Sequence, residues 1–528
     1  MTARKNKITT YLQKIRPIDR FENNFIRHNE TIFDNSQNKV DQILIEMTNM
    51  QPNHIAISHF LRVFSKVHDA QFVGYQTDID LNLLNKFKSN IFNLKTKKIY
   101  KSFGVNKFLK PEVSIYKILA NHLTNKLLSE INSKSDLINL IVDDIWVGDL
   151  IYDQYLGFYK VPTVNIKSEE FRKILFKFCI LYYYWKDICL KKNIKAFLIS
   201  HSCYFAGLPA RIAISLDIPV YLVNIQQIYY LSKKNTTPFL EHYLYKNDFE
   251  KLDISTKNKA IEKARGRLKL IFEGSTDVDQ SYIKYTAYSQ KKVLSKILRN
   301  KSHVKILIAS HSFHDSPNTL GKALFPDFFE WLQFLGELSK KTDYEWYLKT
   351  HPGIDNFDKK TINDFISRYN KIILIPNTTS HHQLIEEGIN ILLTVHGSIG
   401  IEYAAKNITV INASLHNPHI SYDFNIHPKS KEELENKIFN LKNYVNKNLF
   451  SEDVYKCYYM KYLHDNQNIF FSNFKDIEKQ MGGWYALFSS EIYNYWMNFC
   501  TPDIQNKIDL NLKKFILSGE YKLKSPSW

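Results

Sequence analysis

The feature that most constrains the fold is an alternation of short apolar runs with longer helical stretches, which occurs in both halves of the chain. The first half contains HIAISHF, QFVGYQT, SDLINLIVDD, KAFLISHS and IPVYLVN, and the second contains VKILIASHS, YEWYLKTHPG, KIILIPN, NILLTVHGS and ITVINAS. Short apolar strands that alternate with helices are typical of βα units around a parallel sheet. The pattern predicts an α/β fold with two Rossmann-like domains that face each other across a cleft, followed by a C-terminal helical extension.

The same pattern divides the chain. We expect a lead-in over residues 1–50, a first Rossmann-like domain over 51–245, a charged helical linker over 246–300 and a second Rossmann-like domain over 301–429. Residues 430–528 are predicted to be helical, because Ser430 and Glu433 have the spacing of a capping box. The aromatic stretch MGGWYALFSSEIYNYWMNFC is predicted to pack across the two domains rather than anchor the chain in a membrane.

Composition limits the classes of partner. The formal charge is +18, from 71 Lys and Arg against 53 Asp and Glu, which favours phosphates, anionic lipid headgroups or nucleic acid. A diffusely basic surface is the alternative explanation for this charge.

The five cysteines lack CxxC spacing, so neither a disulfide framework nor a zinc site is predicted. No apolar stretch is long enough to cross a bilayer, and we expect a cytoplasmic protein that contacts the inner face of the membrane.

The stretch TVHGSIGIEYAAKN joins an apolar strand to a helix through a very short loop. Its candidate ligand-binding residues are His396, Gly397, Ser398, Gly400 and Glu402. Glycines let the backbone approach a ligand closely, and the free N–H groups of a helix start attract an anion. The loop is predicted to hold a phosphate, with Glu402 in reach of a ribose hydroxyl. Alternatively, the glycines only permit a tight turn and Glu402 only complements the helix dipole.

Two further strand ends of the second domain carry polar groups. YEWYLKTHPG delivers Lys349 and His351, and ILIASHSFHDSPN delivers His311, His314 and Asp315. Ligands in open α/β sheets bind beyond the carboxyl ends of the strands, so Lys349 and His351 are predicted to face the same phosphate. His311 is predicted to belong to a polar loop that contacts the ligand, and simple turn chemistry is the alternative for that segment. Two histidines and an aspartate also suit a metal ion, but their spacing matches no strong zinc pattern, and no metal is predicted.

In the first domain, carboxylates follow a predicted strand in LIVDDIWVGDLIYDQYLGF. Asp153 and Asp149 are the preferred candidates for the general base that activates a hydroxyl, and Asp143 and Asp144 come next. His201, in KAFLISHSCYF, is a further candidate. Helix capping and solvated turns are the structural alternative for the carboxylates. A serine–histidine nucleophile pair is not predicted, because no nucleophile elbow is visible.

Five segments together carry a resemblance to a known family: VGDLIYDQYL, SHSCYFAGLPARIA, SHSFHDSPNTLGKALFPDFFEWL, YLKTHPG and HGSIGIEYAAKNITVINAS. Over roughly residues 140–425 the chain resembles bacterial capsule and surface polysaccharide glycosyltransferases of the GT-B type, a group that includes Kdo and related CMP-sugar transferases. The family holds the nucleotide phosphate with a histidine–proline motif and a serine-bearing glycine loop, which His351, Pro352 and Ser398 match. Asn407 departs from the pattern, because these enzymes usually have a glycine–lysine turn there.

The resemblance implies a nucleotide-sugar donor on the second domain and a glycan or lipid-linked acceptor on the first, with no cofactor. A CMP-sugar such as CMP-Kdo is favoured, and a UDP-sugar is also compatible. Two alternatives stay open: a polyol-phosphate transferase of the CDP-glycerol type, and a non-catalytic basic protein that binds membrane or nucleic acid. We do not expect nucleic acid as a partner, because no RRM or KH signature is present.

Overall fold

The computed structural model describes residues 17–33, 40–77, 94–109, 112–275, 288, 295–350, 354–445, 451–465, 467–526 and 528. His351 and Pro352 lie outside these residues. The strands are β1 Gln42–Glu46, β2 Gln71–Tyr75, β3 Val105–Phe108, β4 Ile141–Val142, β5 Ile145–Trp146, β6 Ile194–Ile199, β7 Val220–Val223, β8 Ile228–Leu231, β9 Lys305–Ala309, β10 Glu345–Lys349, β11 Ile372–Leu374, β12 Ile391–Thr394 and β13 Thr409–Asn412.

The helices connect these strands and extend beyond them. They are α1 Arg20–Glu30, α2 Gln51–Val67, α3 Leu94–Ser102, α4 Lys117–Glu130, α5 Lys134–Ile138, α6 Gly148–Tyr159, α7 Glu169–Lys191, α8 Leu208–Ser215, α9 Glu241–Glu250, α10 Ile254–Phe272, α11 Phe328–Lys341, α12 Asn356–Arg368, α13 His381–Glu386, α14 Ile399–Ala405, α15 Lys431–Phe439, α16 Asp453–Tyr462, α17 Phe474–Met481, α18 Glu491–Phe499 and α19 Pro502–Ser518. Among the described residues, no helix is both long enough and apolar enough to span a membrane.

Two separate sheets form the centres of the two domains. The first has the order β3-β2-β1-β6-β7-β8 and is parallel except for the antiparallel pair of β7 and β8. The second has the order β11-β10-β9-β12-β13 and is parallel throughout. Apolar clusters lie on both faces of each sheet, as a parallel sheet requires. The predicted fold class, two Rossmann-like domains with a C-terminal helical extension, is confirmed.

Two predicted strands of the first domain are wrong. HIAISHF lies inside α2, where Pro52 occupies the first turn and every residue from Pro52 to Phe64 is buried. A helix that is buried on all sides has no polar face, so its apolar run resembles that of a buried strand. SDLINLIVDD forms the short helix α5 and the hairpin of β4 and β5, with Asp143 and Asp144 as its two turn residues at φ of 47° and 63°.

The packing also departs from the predicted division of the chain. Strand β1 is central in the first sheet, although it falls within the predicted lead-in of residues 1–50. Helices α9 and α10 share an apolar cluster with the second sheet, so the predicted linker belongs to that domain. Helix α16 joins the same cluster, whereas α17, α18 and α19 pack against the first sheet. The C-terminal region therefore covers both domains, because the chain returns to the first domain after α16.

Candidate functional site

The topology of the second sheet creates a crevice between β9 and β12. The chain runs outward from β9 through β10 to β11 and then returns to β12 on the other side of β9. Open α/β sheets bind ligands at such a switch point, beyond the carboxyl ends of the strands. His311 follows β9 and His396 follows β12, and their ring centroids lie 4.9 Å apart. The structure thus brings two of the predicted residues together at this crevice.

Packing fixes the position of the His311 ring. The ring stacks on Phe328 with a centroid distance of 4.4 Å. Its Nε2 lies 3.3 Å from the Thr394 hydroxyl and 3.3 Å from the backbone nitrogen of Val395. His311 therefore supports the end of β12, where the glycine loop begins.

The glycine loop lies where the sequence predicts it, between the end of β12 at Thr394 and the start of α14 at Ile399. Ser398 makes no capping bond, and its hydroxyl lies 3.5 Å from the Glu402 carboxylate. A Cβ at Gly397 would lie 3.2 Å from the Thr394 hydroxyl, which is tighter than ordinary contact, and 3.5 Å from Cε1 of His311. A Cβ at Gly400 would lie only 2.8 Å from Cε1 of His419, so Gly400 is required by close packing.

Glu402 lies one turn into α14 and is partly buried. Burial raises the pKa of its carboxyl to about 7, although hydrogen bonds from Tyr288 and Ser398 favour the ionised form. A group with this pKa populates both protonation states at neutral pH. It can therefore accept or donate a hydrogen bond to a hydroxyl of a bound ligand.

Lys349 ends β10 as predicted, but its ammonium group binds backbone rather than opening into the crevice. Nζ lies 3.1 Å from the carbonyl oxygen of Asn377 and 3.5 Å from that of Pro376, in the loop after β11. Burial lowers the pKa of Lys349 to about 8. Lys349 therefore stabilises the loop after β11. The spacing in YEWYLKTHPG does not predict this role.

The first sheet has a matching switch point between β1 and β6. Glu46 ends β1, and its Oε2 accepts hydrogen bonds from the backbone nitrogen and the hydroxyl of Ser200, at 2.5 and 2.9 Å. Burial raises the pKa of Glu46 to about 7. Sequence reasoning missed this carboxylate because the run ILIE was assigned to the lead-in. The sequence feature that could have identified Glu46 is an acidic residue directly after a short apolar run.

His201 is exposed and follows Ser200 just after the carboxyl end of β6. Its Nδ1 is 3.1 Å from the Cys203 sulfur. Its ring centroid is 6.3 Å from that of Tyr204, whose hydroxyl is 3.4 Å from the Asp315 carboxylate in the second domain. Desolvation lowers the pKa of His201, and Asp315 opposes that shift. His201 is therefore mainly neutral at pH 7, beside a contact between the domains.

Asp149 and Asp153, the preferred candidates for the general base, are both engaged within the protein. Asp149 is buried and accepts two hydrogen bonds from Arg211, at 2.6 and 2.5 Å. Asp153 is buried and accepts hydrogen bonds at 2.9 and 3.2 Å from the side-chain amide and backbone nitrogen of Asn318 in the second domain. Burial raises the pKa of Asp153 well above its ordinary value. In this arrangement both carboxylates position neighbouring segments.

Of the remaining polar residues after β9, His314 does not join His311. Its Nδ1 lies 3.5 Å from Asp358 and its Nε2 lies 3.7 Å from Asp355. These three side chains have the spacing of a metal-ligand group. Asp358 also accepts a hydrogen bond of 2.9 Å from Ser312 and lies at the start of α12, so structural capping accounts for its position.

No protein-family model and no curated protein matches the chain. Similar solved structures include the β-Kdo 2,4-transferase KpsC of Thermosulfurimonas dismutans, with 13% identity, coverage of 52% of this chain and 85% of that one, and a TM-score of 0.31. A glycosyltransferase of Rickettsia africae has 13% identity, covers 88% and 100%, and has a TM-score of 0.25. The UDP-GlcNAc 2-epimerase of Neisseria meningitidis has 12% identity, covers 79% and 97%, and has a TM-score of 0.22.

These proteins include members of the class that the sequence resembles. Their identities and TM-scores are too low to assign a family to this chain. The description of the fold therefore depends on the sheet topology itself.

Gly400→Ala should destabilise the protein by about 1–3 kcal/mol, because the added methyl group would overlap the buried ring of His419. Gly266→Ala is the matched control. Gly266 lies inside α10, and a Cβ there meets no atom within 4 Å, so alanine should be neutral or stabilise by up to about 1 kcal/mol. Urea unfolding curves of both variants measure the difference. Equal stability of the two variants would contradict the close packing at Gly400.

Proposed function

We propose that the protein is a glycosyltransferase that moves a sugar from a nucleotide-sugar donor to a surface glycan or lipid-linked acceptor. The observation that carries the proposal is the pair of switch-point crevices, one in each domain. The second-domain crevice contains the glycine loop, and the first-domain crevice contains Glu46 and His201. Two substrates in two facing crevices are what group transfer between them requires.

The donor would bind against the second domain. Its phosphate would lie at the loop of His396 to Gly400, and Glu402 would bind a ribose hydroxyl. As the bond between sugar and phosphate breaks, negative charge grows on the leaving phosphate, and fixed hydrogen-bond donors stabilise it. The sequence resemblance favours a CMP-sugar such as CMP-Kdo, and His351 and Pro352 would contact the same phosphate.

The acceptor hydroxyl must lose a proton as it attacks. Among the three predicted candidates, His201 is exposed and is neutral at pH 7, whereas Asp149 and Asp153 accept hydrogen bonds within the protein. A neutral histidine at the cleft is suited to take up that proton. We therefore assign the base to His201 and positioning roles to the two aspartates.

A surface of the first domain supports the expected contact with the membrane. Ile115, in the short 3-10 turn just before α4, and Ile118 and Leu119, in the first turn of α4, are 65%, 84% and 52% exposed. This segment follows the carboxyl end of β3. Residues 94–130 contain eight lysines and two glutamates. Exposed apolar side chains among lysines suit an anionic lipid surface. This surface is at the same edge of the sheet as the acceptor crevice, so a lipid-linked acceptor would be near.

Cytidine or uridine nucleotides should raise the melting temperature if the second domain binds the donor. A ligand at about one hundred times its Kd stabilises the folded state by about 2.7 kcal/mol. Differential scanning fluorimetry with CMP, CDP and UDP in EDTA measures the effect and excludes metal-dependent binding. No shift with any of the three would contradict the proposal. Stabilisation by CDP-glycerol in preference to the sugar nucleotides would indicate a polyol-phosphate transferase.

His201→Ala should lower kcat by about two to four orders of magnitude and leave nucleotide affinity unchanged, because it removes the base and not the donor site. In the wild type, the rate should rise with pH with a midpoint below pH 6.5 and then level off, since the pKa of His201 is lowered and only the neutral ring accepts a proton. His303→Ala, an exposed histidine just before β9 in the second domain, is the control. A loss of less than tenfold in His201→Ala would place the base elsewhere.

The exposed apolar side chains at and just before the start of α4 should direct the protein to anionic vesicles. Replacing Ile115 and Ile118 with serine should reduce co-sedimentation with vesicles of phosphatidylglycerol and phosphatidylethanolamine about tenfold, while Leu510→Ser, another exposed apolar position, should not. Binding should weaken as salt increases, since lysines contribute. Unchanged binding of the double variant would show that this surface does not contact the membrane.

A further inference from the structure

Lys461 is a lysine of the C-terminal helical region, in the helix of that region that packs on the second domain. It occupies the last turn of α16, which packs against α9, α10 and α14. One turn earlier, the Cys457 thiol is 3.7 Å from the carbonyl oxygen of Pro418. Residues four apart share a helix face, so Lys461 and Cys457 lie on the face of α16 that is turned toward the segment beginning at Pro418. In that segment, His419 packs against Gly400.

The ammonium group of Lys461 makes no ion pair with any carboxylate among the described residues. Its Nζ lies over the ring of Tyr462, 4.8 Å from the ring centre, in a cation–π contact. Lys456, on the same helix, is different, because its ammonium group lies 2.9 Å from Asp453 and 3.6 Å from Glu250. A cation that is largely removed from water and lacks a paired anion is costly, and a bound anion would remove that cost.

His419 supplies an independent sign of a ligand. The side chain is fully buried, and its Nε2 has no hydrogen-bond partner. Its Nδ1 lies 3.3 Å from the Asn425 amide nitrogen, which also lies 3.0 Å from Asn412 Oδ1 and 3.4 Å from Gly400 O. In the tautomer in which Nδ1 accepts from this amide, Nε2 carries the proton. A buried N–H group without an acceptor is rare in native structures. An acceptor oxygen of a ligand would satisfy it.

The groups around Lys461 are mostly neutral histidines. Burial lowers the pKa values of His242 and His396 to about 3 and about 4, and that of His419 well below its ordinary value, and the charge of Lys461 adds to each shift. Burial also lowers the pKa of Lys461 to about 8, which Cys457 and Glu402 oppose. The charged and titratable groups that face Lys461 are therefore His242 from α9, His396 from the glycine loop, His419 from the segment after β13, Glu402 from α14 and Cys457 from its own helix.

We propose that Lys461, His396 and His419 form an anion site for the phosphate of the donor, with Lys461 as its positive charge. This inference rests on the proposed function, because it names further residues of the same donor site. Neutral histidines donate hydrogen bonds to phosphate oxygens without the cost of burying more charge. Lys349, a buried lysine at the carboxyl end of β10, already binds two backbone carbonyls. Lys461 is thus the lysine suited to bind the ligand.

Calorimetric titration of CMP and UDP into the full-length protein at pH 7 tests the site. Lys461→Ala should weaken the binding of the preferred nucleotide about 10-fold to 100-fold, as expected for a hydrogen bond between charged groups. Lys461→Arg should bind within a few-fold of wild type. Lys456→Ala is the control on the same helix and should not change affinity, because its charge is paired with Asp453 and Glu250.

The pH dependence of binding gives a second measurement that does not need the alanine variant. Lys461 is charged below a pKa of about 8 and loses its charge above it, so wild-type affinity should fall between pH 7 and about 9.5. Lys461→Arg stays charged over this range and should lose less affinity. Ionisation of Glu402 occurs in both proteins, so the difference between them isolates Lys461.

The outcomes separate the inference from the proposed function. If the wild type binds neither nucleotide, the proposed function fails and the site with it. If the wild type binds and Lys461→Ala binds equally well, the donor site stands and the inference is overturned. If Lys461→Ala does not fold, the comparison of wild type with Lys461→Arg decides. An equally steep fall of affinity in those two proteins overturns the inference, and a shallower fall in the arginine variant supports it.

Discussion

The buried contact between Asp153 and Asn318 fixes how the two sheets face each other. Helix α6 of the first domain supplies the carboxylate, and the loop after β9 supplies the amide and the backbone nitrogen. Beside it, the Tyr152 hydroxyl donates to Asp327 at 2.5 Å. Removing one partner would leave a buried polar group without a hydrogen bond, which costs about 1–3 kcal/mol. Since the Asn318 loop begins at His311, the same contact sets the position of the second-domain crevice.

This constraint explains why the first-domain carboxylates contribute to the site indirectly. Asp149 and Asp153 lie one helical turn apart on α6 and hold Arg211 in one domain and Asn318 in the other. The loop that Asn318 anchors also carries Asp315, which contacts Tyr204 beside His201. A chain of polar contacts thus runs from the core of the first domain to the cleft, where His201 is exposed.

The sequence predicted what depends on local pattern. All strands of the second domain were found, since each is a short apolar run with a polar end, and the glycine loop falls within two residues of its predicted bounds. HIAISHF is buried on all sides, so its pattern does not distinguish a helix from a strand. Because it was interpreted as the first strand, Glu46 fell within the predicted lead-in. The partners of Asp149, Lys349 and His419 come from distant segments, so spacing along the chain carries no signal for them. Nothing in the local pattern relates Lys461 to the glycine loop, which lies about 60 residues earlier in the chain.

The chain crosses between the domains at two places, and one lysine joins the two crossings. It enters the second domain through α9, which begins at Glu241, and returns to the first domain after Asp465. Lys522, near the C-terminus, lies 2.7 Å from Glu241 and 2.9 Å from Asp465 and so holds the two crossings together. His242 and Lys461 lie within one turn of these two carboxylates in sequence. The segments that link the domains therefore also supply side chains to the proposed phosphate site, because the C-terminal region folds back over both sheets.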